Sequence, residues 1–116
     1  MRNNHEGGRL RDMMLVSGIK GAKMVQALGA ALAFPADAPF ISFIDPGGAT
    51  RVVTLPDPTG AGEADIIRII VNTADAAEDL TINDPAATTR GTISQNEFAI
   101  IVCDGTRHYV GVVTTT

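Results

Sequence analysis

Tryptophan is absent from this chain of 116 residues, aromatic residues make up only 4%, and a single cysteine, Cys103, is present. With one tyrosine and four phenylalanines, the apolar mass is carried mainly by Ala, Val and Ile. Such small and β-branched side chains suit thin, sheet-rich cores or interfaces between identical subunits. They suit a ligand pocket poorly, since pockets are usually lined by aromatics. One cysteine excludes an intramolecular disulfide, so the fold does not depend on oxidation. The opening residues, Met1 to Glu6, are polar and lead into no apolar run with a cleavage site, so no signal peptide is expected.

A long uncharged apolar run is also missing. Met13 to Phe34 is apolar in bulk but contains Lys20, Lys23 and Gln26 together with Gly18, Gly21 and Gly29. A lysine at the centre of a bilayer costs about 2.5 kcal/mol or more, so no membrane partner is expected. The net charge of −4 conceals an asymmetry. Residues 1–23 hold five cations against two acids, a net of +3, whereas residues 24–116 hold four arginines against eleven acids, a net of −7. A basic start on an acidic body suggests an arm that docks on something acidic. The division expected from these signals is an N-terminal arm over residues 1–35, extended or partly helical, followed by a β domain over residues 36–116. Arg9, Arg11, Met13, Met14 and Leu15 are the arm residues expected at an interface.

From Pro35 onward the punctuation is regular. Phe40 to Ile44 is expected as a strand, Asp45-Pro46-Gly47-Gly48 as a turn, and Arg51 to Leu55 as the next strand, ended by Pro56. Asp65 to Val71 is almost continuously Ile, which predicts a strand buried on most of both faces except at Arg68. Leu80 to Ile82 alternates, Thr88 to Ser94 holds a weaker strand, and a short strand is expected near Ala30 to Phe34. The clearest local signal is at the end: Glu97 to Cys103, then Asp104-Gly105, then Thr106 to Val113. Asp-Gly between two apolar runs predicts a hairpin, because both central positions of the favoured turn need positive φ. Short strands spaced by turns, with no helical pattern after Pro35, predict an all-β fold, a small antiparallel sandwich or barrel.

Few residues carry chemistry. Gly60-Ala61-Gly62 lacks the third glycine and the helix of a dinucleotide fingerprint, and reads as loop. Asp75, Glu78, Asp79 and Asp84 lack the spacing of a calcium loop and read as solvated acids. His5, His108 and Cys103 show no paired metal spacing, so neither metal nor cofactor is expected. A Cys103–His108 nucleophile would have to act across the hairpin without an orienting group, so no enzyme activity is expected. Cys103 and His108 are instead expected as packing and surface residues. Nucleic acid is not expected as a partner, since the β body lacks interleaved basic and stacking residues.

Several phrases share an order and spacing: Ile44-Asp45-Pro46-Gly47-Gly48, Val53-Thr54-Leu55-Pro56, Val71 to Glu78, Gln95-Asn96-Glu97 and Cys103-Asp104-Gly105-Thr106. Together they resemble small β-structured proteins of tailed bacteriophage virions, the β modules of head-decoration and fibre proteins. In those modules an aromatic residue, often Trp, follows the Asp-Gly-Thr hairpin; here Tyr109 takes that place. The resemblance covers about residues 40–113. It implies a capsid decoration (cement) protein on the phage head, assembled as a homotrimer and bound to the major capsid protein or another virion protein. The alternative it leaves open is a tail, fibre or baseplate module that contacts a receptor or another tail protein. Tyr109 is the expected interface residue of the body.

Overall fold

A computed structural model describes residues 23–115, and among these there is no helix. The strands are β1 (Lys23–Ala27), β2 (Leu32–Ala33), β3 (Ile41–Asp45), β4 (Arg51–Thr54), β5 (Ile66–Asn72), β6 (Leu80–Asn83), β7 (Thr89–Ile93), β8 (Glu97–Cys103) and β9 (His108–Thr114). The all-β expectation is met, and the sheets begin at Lys23, ahead of the Pro35 at which the sequence signals become regular.

The strand pairing differs from the antiparallel arrangement expected. The chain alternates between two sheets, one ordered β1-β3-β5-β8-β9 and the other β2-β4-β6-β7. Each of the first six strands therefore returns to its own sheet only after visiting the other, and it arrives pointing the same way. The β1–β3, β3–β5, β2–β4 and β4–β6 pairs are all parallel. Only the last part of the chain reverses, with antiparallel β6–β7, β5–β8 and β8–β9 pairs. Both sheets are thus mixed.

The reason lies in Asp45-Pro46-Gly47-Gly48, which has the chemistry of a hairpin turn but forms a corner that carries the chain from one sheet to the other. The Asp45 carboxylate accepts the Gly47 amide at 2.9 Å, and Gly47 and Gly48 take φ of 77° and 98°. Successive corners stack. The Leu28 amide donates to the Asp45 carbonyl and the Thr73 amide to the Ile44 carbonyl, while across the molecule Phe34 donates to Thr54 and Leu55 to Asn83. Gly47 is required by this stacking, because a Cβ there would fall on the Leu28 carbonyl oxygen.

Alternation sends every second side chain inward. Ile44, Ile70, Ala99 and Ile101 of the first sheet meet Val53, Leu80, Ile82 and Ile93 of the second, with Leu28, Phe34 and Leu55 from the corners, in one buried cluster. β7 leans onto β9 so closely that a Cβ at Gly91 would strike Val110. The closing hairpin is present, but its connection is four residues long, Asp104–Arg107, with Cys103 paired to His108. Only Gly105 has positive φ in it. The Asp104 carboxylate substitutes for a tight turn by accepting the amides of Thr106 and Arg107.

Candidate functional site

The two sheets differ on their outer faces. In the four-stranded sheet, Val53, Leu80, Ile82 and Ile93 point inward, and the alternate positions include Thr54, Thr81, Asn83 and Thr92. That is the pattern of a sheet with one wet side. In the five-stranded sheet the inward set includes Ser42, Ile44, Arg68, Ile70, Asn72, Ala99, Ile101, Cys103 and His108, which are buried. The set left pointing outward is apolar except at strand ends, where β1 starts with Lys23 and β3 finishes with Asp45. Ile67, Val102 and Tyr109 form one rung, Ile69, Ile100 and Gly111 the next, and Val71, Phe98 and Val113 the third. Ile41 and Phe43 of β3 and Val25 of β1 continue the same face.

Val25 is 69% exposed, Ile67 50%, Tyr109 48% and Ile100 40%. The acids of the face lie at its limits: Asp45 ends β3 on the same side as Phe43, and the Asp104 carboxylate meets the Tyr109 hydroxyl. Its cations sit at opposite ends, each over an aromatic ring: Lys23 is 5.8 Å from the Phe43 centroid and Arg107 4.9 Å from that of Tyr109. Five strands about 4.8 Å apart, each rising about 3.3 Å per residue, give a face of roughly 20 by 20 Å in projection. Corrugated by side chains, it reaches the roughly 300–600 Å² of the largest apolar patch on an ordinary monomer. With its rim it approaches the roughly 800 Å² per partner of a stable protein interface.

Tyr109, the interface residue expected in the body, stands on this face. Its hydroxyl donates to Asp104 at 3.0 Å. That bond raises the Tyr109 pKa, and the amides of Arg107 and Thr106, with the Tyr109 hydroxyl, lower that of Asp104. Arg9, Arg11, Met13, Met14 and Leu15 lie outside the described residues.

A second, polar locus occupies the end of the molecule where the β4–β5 loop crosses β8 and β9. Arg68 does not project to solvent from an otherwise buried strand, as expected; it is the buried member, 2% exposed, and its neighbour Ile67 faces out. Its guanidinium grips Glu63 through two 2.9 Å bonds, donates to the Ala36 carbonyl and lies over Phe34. His108, expected at the surface, is 1% exposed and bonds the Pro56 carbonyl through Nε2 at 2.8 Å. Cys103 is packed as expected, its thiol 3.5 Å from the Pro58 carbonyl.

Glu63, Cys103 and His108 each place a ligand atom within 4.8 Å of the others, and they are the one such group of His, Cys, Asp and Glu among the described residues. The acids of the 75–84 region do not converge. Glu78 accepts the Gly48 amide, and Asp84 pairs with Arg90 at 2.8 Å. Asp84 is held below the usual carboxylate range by the Thr88 amide first, with Arg90 assisting.

Comparison with family models, curated proteins and solved structures gives no match to this chain. Among the described residues no helix is long and apolar enough to cross a membrane.

Proposed function

We propose that this protein is a structural subunit that assembles with copies of itself through the outer face of the five-stranded sheet. We further propose, from the resemblance of its ordered turn phrases, that the assembly is a trimeric decoration (cement) protein on a tailed-phage head. The pair of sheets is then a small sandwich whose dry inner core folds each copy and whose apolar outer face joins the copies. The basic residues 1–23, net +3 against −7 in the rest of the chain, supply charge complementary to a neighbour's body. The single observation that carries self-assembly is a sheet face whose centre is apolar, with Asp45 and Asp104 only at its limits, opposite a sheet whose outer positions include Thr54, Thr81, Asn83 and Thr92.

A second copy fits that face better than a small ligand, because it is flat and wide and carries neither a cavity nor convergent polar groups. Hydrophobic burial between copies also offsets the small core of a short domain. The test has two arms. Sedimentation velocity of the full chain at about 10 μM should show an oligomer; a monomer would sink the assembly reading. Quantitative mass spectrometry of purified virions should find the protein in many copies on the head. A few copies at the tail would replace decoration by the fibre or baseplate reading, and absence from particles would end both.

A further inference from the structure

We propose that Glu63, Cys103 and His108 form a site for one divalent transition-metal ion, best suited to Zn²⁺. The inference is independent of the self-assembly reading, since the three residues face inward and the assembly face points outward.

The donor set is a thiol sulfur, an imidazole nitrogen and a carboxylate oxygen. All three residues are buried, at 1%, 1% and 3% exposure for Cys103, His108 and Glu63. Their ligand atoms lie within 4.8 Å of one another. Bonds of about 2.3 Å to sulfur and about 2.0–2.2 Å to nitrogen and oxygen require ligand atoms a little over 3 Å apart around a tetrahedral ion. A contraction of about 1 Å, within the reach of side-chain torsions, would close the set. Mixed S, N and O donors select zinc over the hard cations, which prefer oxygen alone.

The unsatisfied group in this cluster is the second observation. Nδ1 of His108 is one of two buried side-chain polar atoms without a hydrogen-bond partner among the described residues. Nε2 donates to the Pro56 carbonyl at 2.8 Å, which in the neutral imidazole leaves the lone pair on Nδ1. Nδ1 is the ring nitrogen nearer the backbone, and hence nearer the Cys103–His108 rung of the β8–β9 hairpin. A buried acceptor left bare is unfavourable, and a bound cation would satisfy it. A metal-ligating His that donates its other N–H to a backbone carbonyl is the usual supporting arrangement, and Pro56 provides it.

Arg68 does not close the site. A carboxylate has about four lone-pair positions, and the two bonds from Arg68 leave capacity on Glu63. Arg68 then orients the ligating carboxylate from behind. Charge balances through the thiol: the cation displaces the Cys103 proton to solvent, Cys103–SH + M²⁺ giving Cys103–S–M and H⁺, so affinity rises with pH. The contact the thiol would give up on binding the ion is the one to the Pro58 carbonyl, 3.5 Å from the sulfur. A cleft of about 330 Å³ bordered by Asp57, Pro58, Arg107 and His108 reaches one of the three ligands, His108.

The test titrates the full chain, purified under reducing conditions and stripped with chelator, with Co²⁺ and with Zn²⁺. Expected are one Co²⁺ per chain with a thiolate-to-metal charge-transfer band, displacement of that band by Zn²⁺, and one proton released per ion. Cys103→Ala should abolish the band, and Glu63→Gln should weaken binding by more than the roughly 10–100-fold lost when an outer partner of a metal ligand is changed. His5→Ala should leave binding unchanged, and dependence on His5 would place the ion elsewhere and overturn the site. If the ligand variants do not fold, the wild-type spectrum still decides. Absence of a thiolate band at stoichiometric Co²⁺, or binding unaffected by alkylation of Cys103, would overturn the proposal.

Discussion

Replacing Ile100 by lysine puts the assembly reading to its most direct test. Ile100 is at the middle of the outer face, between Ile69 on β5 and Gly111 on β9, and is 40% exposed in the single copy. Full burial of an isoleucine side chain stabilises by about 1.5–3 kcal/mol, so covering the exposed remainder contributes about 1 kcal/mol per copy. Ile100→Lys removes that contribution and also brings an ammonium against the apolar centre of the face, where its strand neighbours are Ile69 and Gly111. An unpaired charge in an apolar interface costs at least several kcal/mol unless it escapes to the rim. Together the terms predict a dissociation constant raised by about 10²–10⁴-fold. Within one copy the change should be small, because the lysine stem can lie along Ile69 with its ammonium in water. Urea denaturation should therefore shift by less than about 1 kcal/mol once oligomer linkage is removed by dilution. Thr81→Lys, on the outer face of the other sheet, is the matched control and should leave the assembly intact. Sedimentation velocity across a concentration series, with circular dichroism to verify folding, reads the outcome. A folded Ile100→Lys chain with the wild-type association constant would refute the assignment of this face.

Three further predictions address the body and its loops. Gly47→Ala should destabilise by several kcal/mol, since a Cβ there meets the Leu28 carbonyl, whereas Gly48→Ala, with φ of 98° but open space around it, should lose only about 1–2 kcal/mol for the left-handed backbone; equal losses in urea melts would contradict the corner stacking. Arg68→Met should cost about 3–5 kcal/mol by leaving the Glu63 carboxylate buried and unpaired, and Glu63→Leu combined with Arg68→Met should recover most of it; an additive double variant would show that the pair is not coupled. Asp57, Asp84, Glu97 and Asp104 all have folded-state pKa values lowered, chiefly by hydrogen bonds from the Thr59, Thr88 and Arg107 amides and the Thr114 hydroxyl. Their stabilisation is complete above the ordinary carboxylate range and is lost as pH falls through the lowered values, so the melting temperature should decline from about pH 5 to about pH 3; a flat profile there would exclude these contacts as contributors.

The sequence disclosed the strands far better than their connections. Glu97–Cys103 was legible to the residue, and β3 to β7 came within one or two residues, because β-branched runs between Pro, Gly and Asx punctuation are a local signal. Parallel pairing was not legible. Asp45-Pro46-Gly47-Gly48 has the same composition whether it reverses a strand within a sheet or turns the chain into the opposite sheet, and only the long-range contact with Leu28 distinguishes the two. Arg68 misled for a related reason. A lone cation in an isoleucine run is ordinarily the exposed residue, and the signal that reverses this reading, a carboxylate at Glu63, sits in an irregular loop whose path no periodicity fixes. Strand parity does place Cys103 inward with Ala99 and Ile101, and the hairpin then puts His108 opposite it. That much of the polar locus could have been found from the pattern, but Glu63 could not.

Edge-to-edge pairing between copies is the other way a β protein of this kind can assemble, and the geometry weighs against it as the main contact. Among the described residues the outermost strands at one end of the winding are β1, with five residues described, and β2, only two long. Such short edges give few ladder bonds. At the other end β7 leans against β9, and β9 presents the long free edge, seven residues including Gly111. Pairing two copies along β9 would satisfy backbone groups, but it would also join two apolar outer faces into one wider sheet still in contact with water. The unfavourable surface would double in extent and none of it would be covered. Only an arrangement that lays face against face removes Ile67, Ile100, Val102 and Tyr109 from solvent together. In the proposed assembly the hydrophobic term therefore favours face burial over β9 pairing as the primary contact.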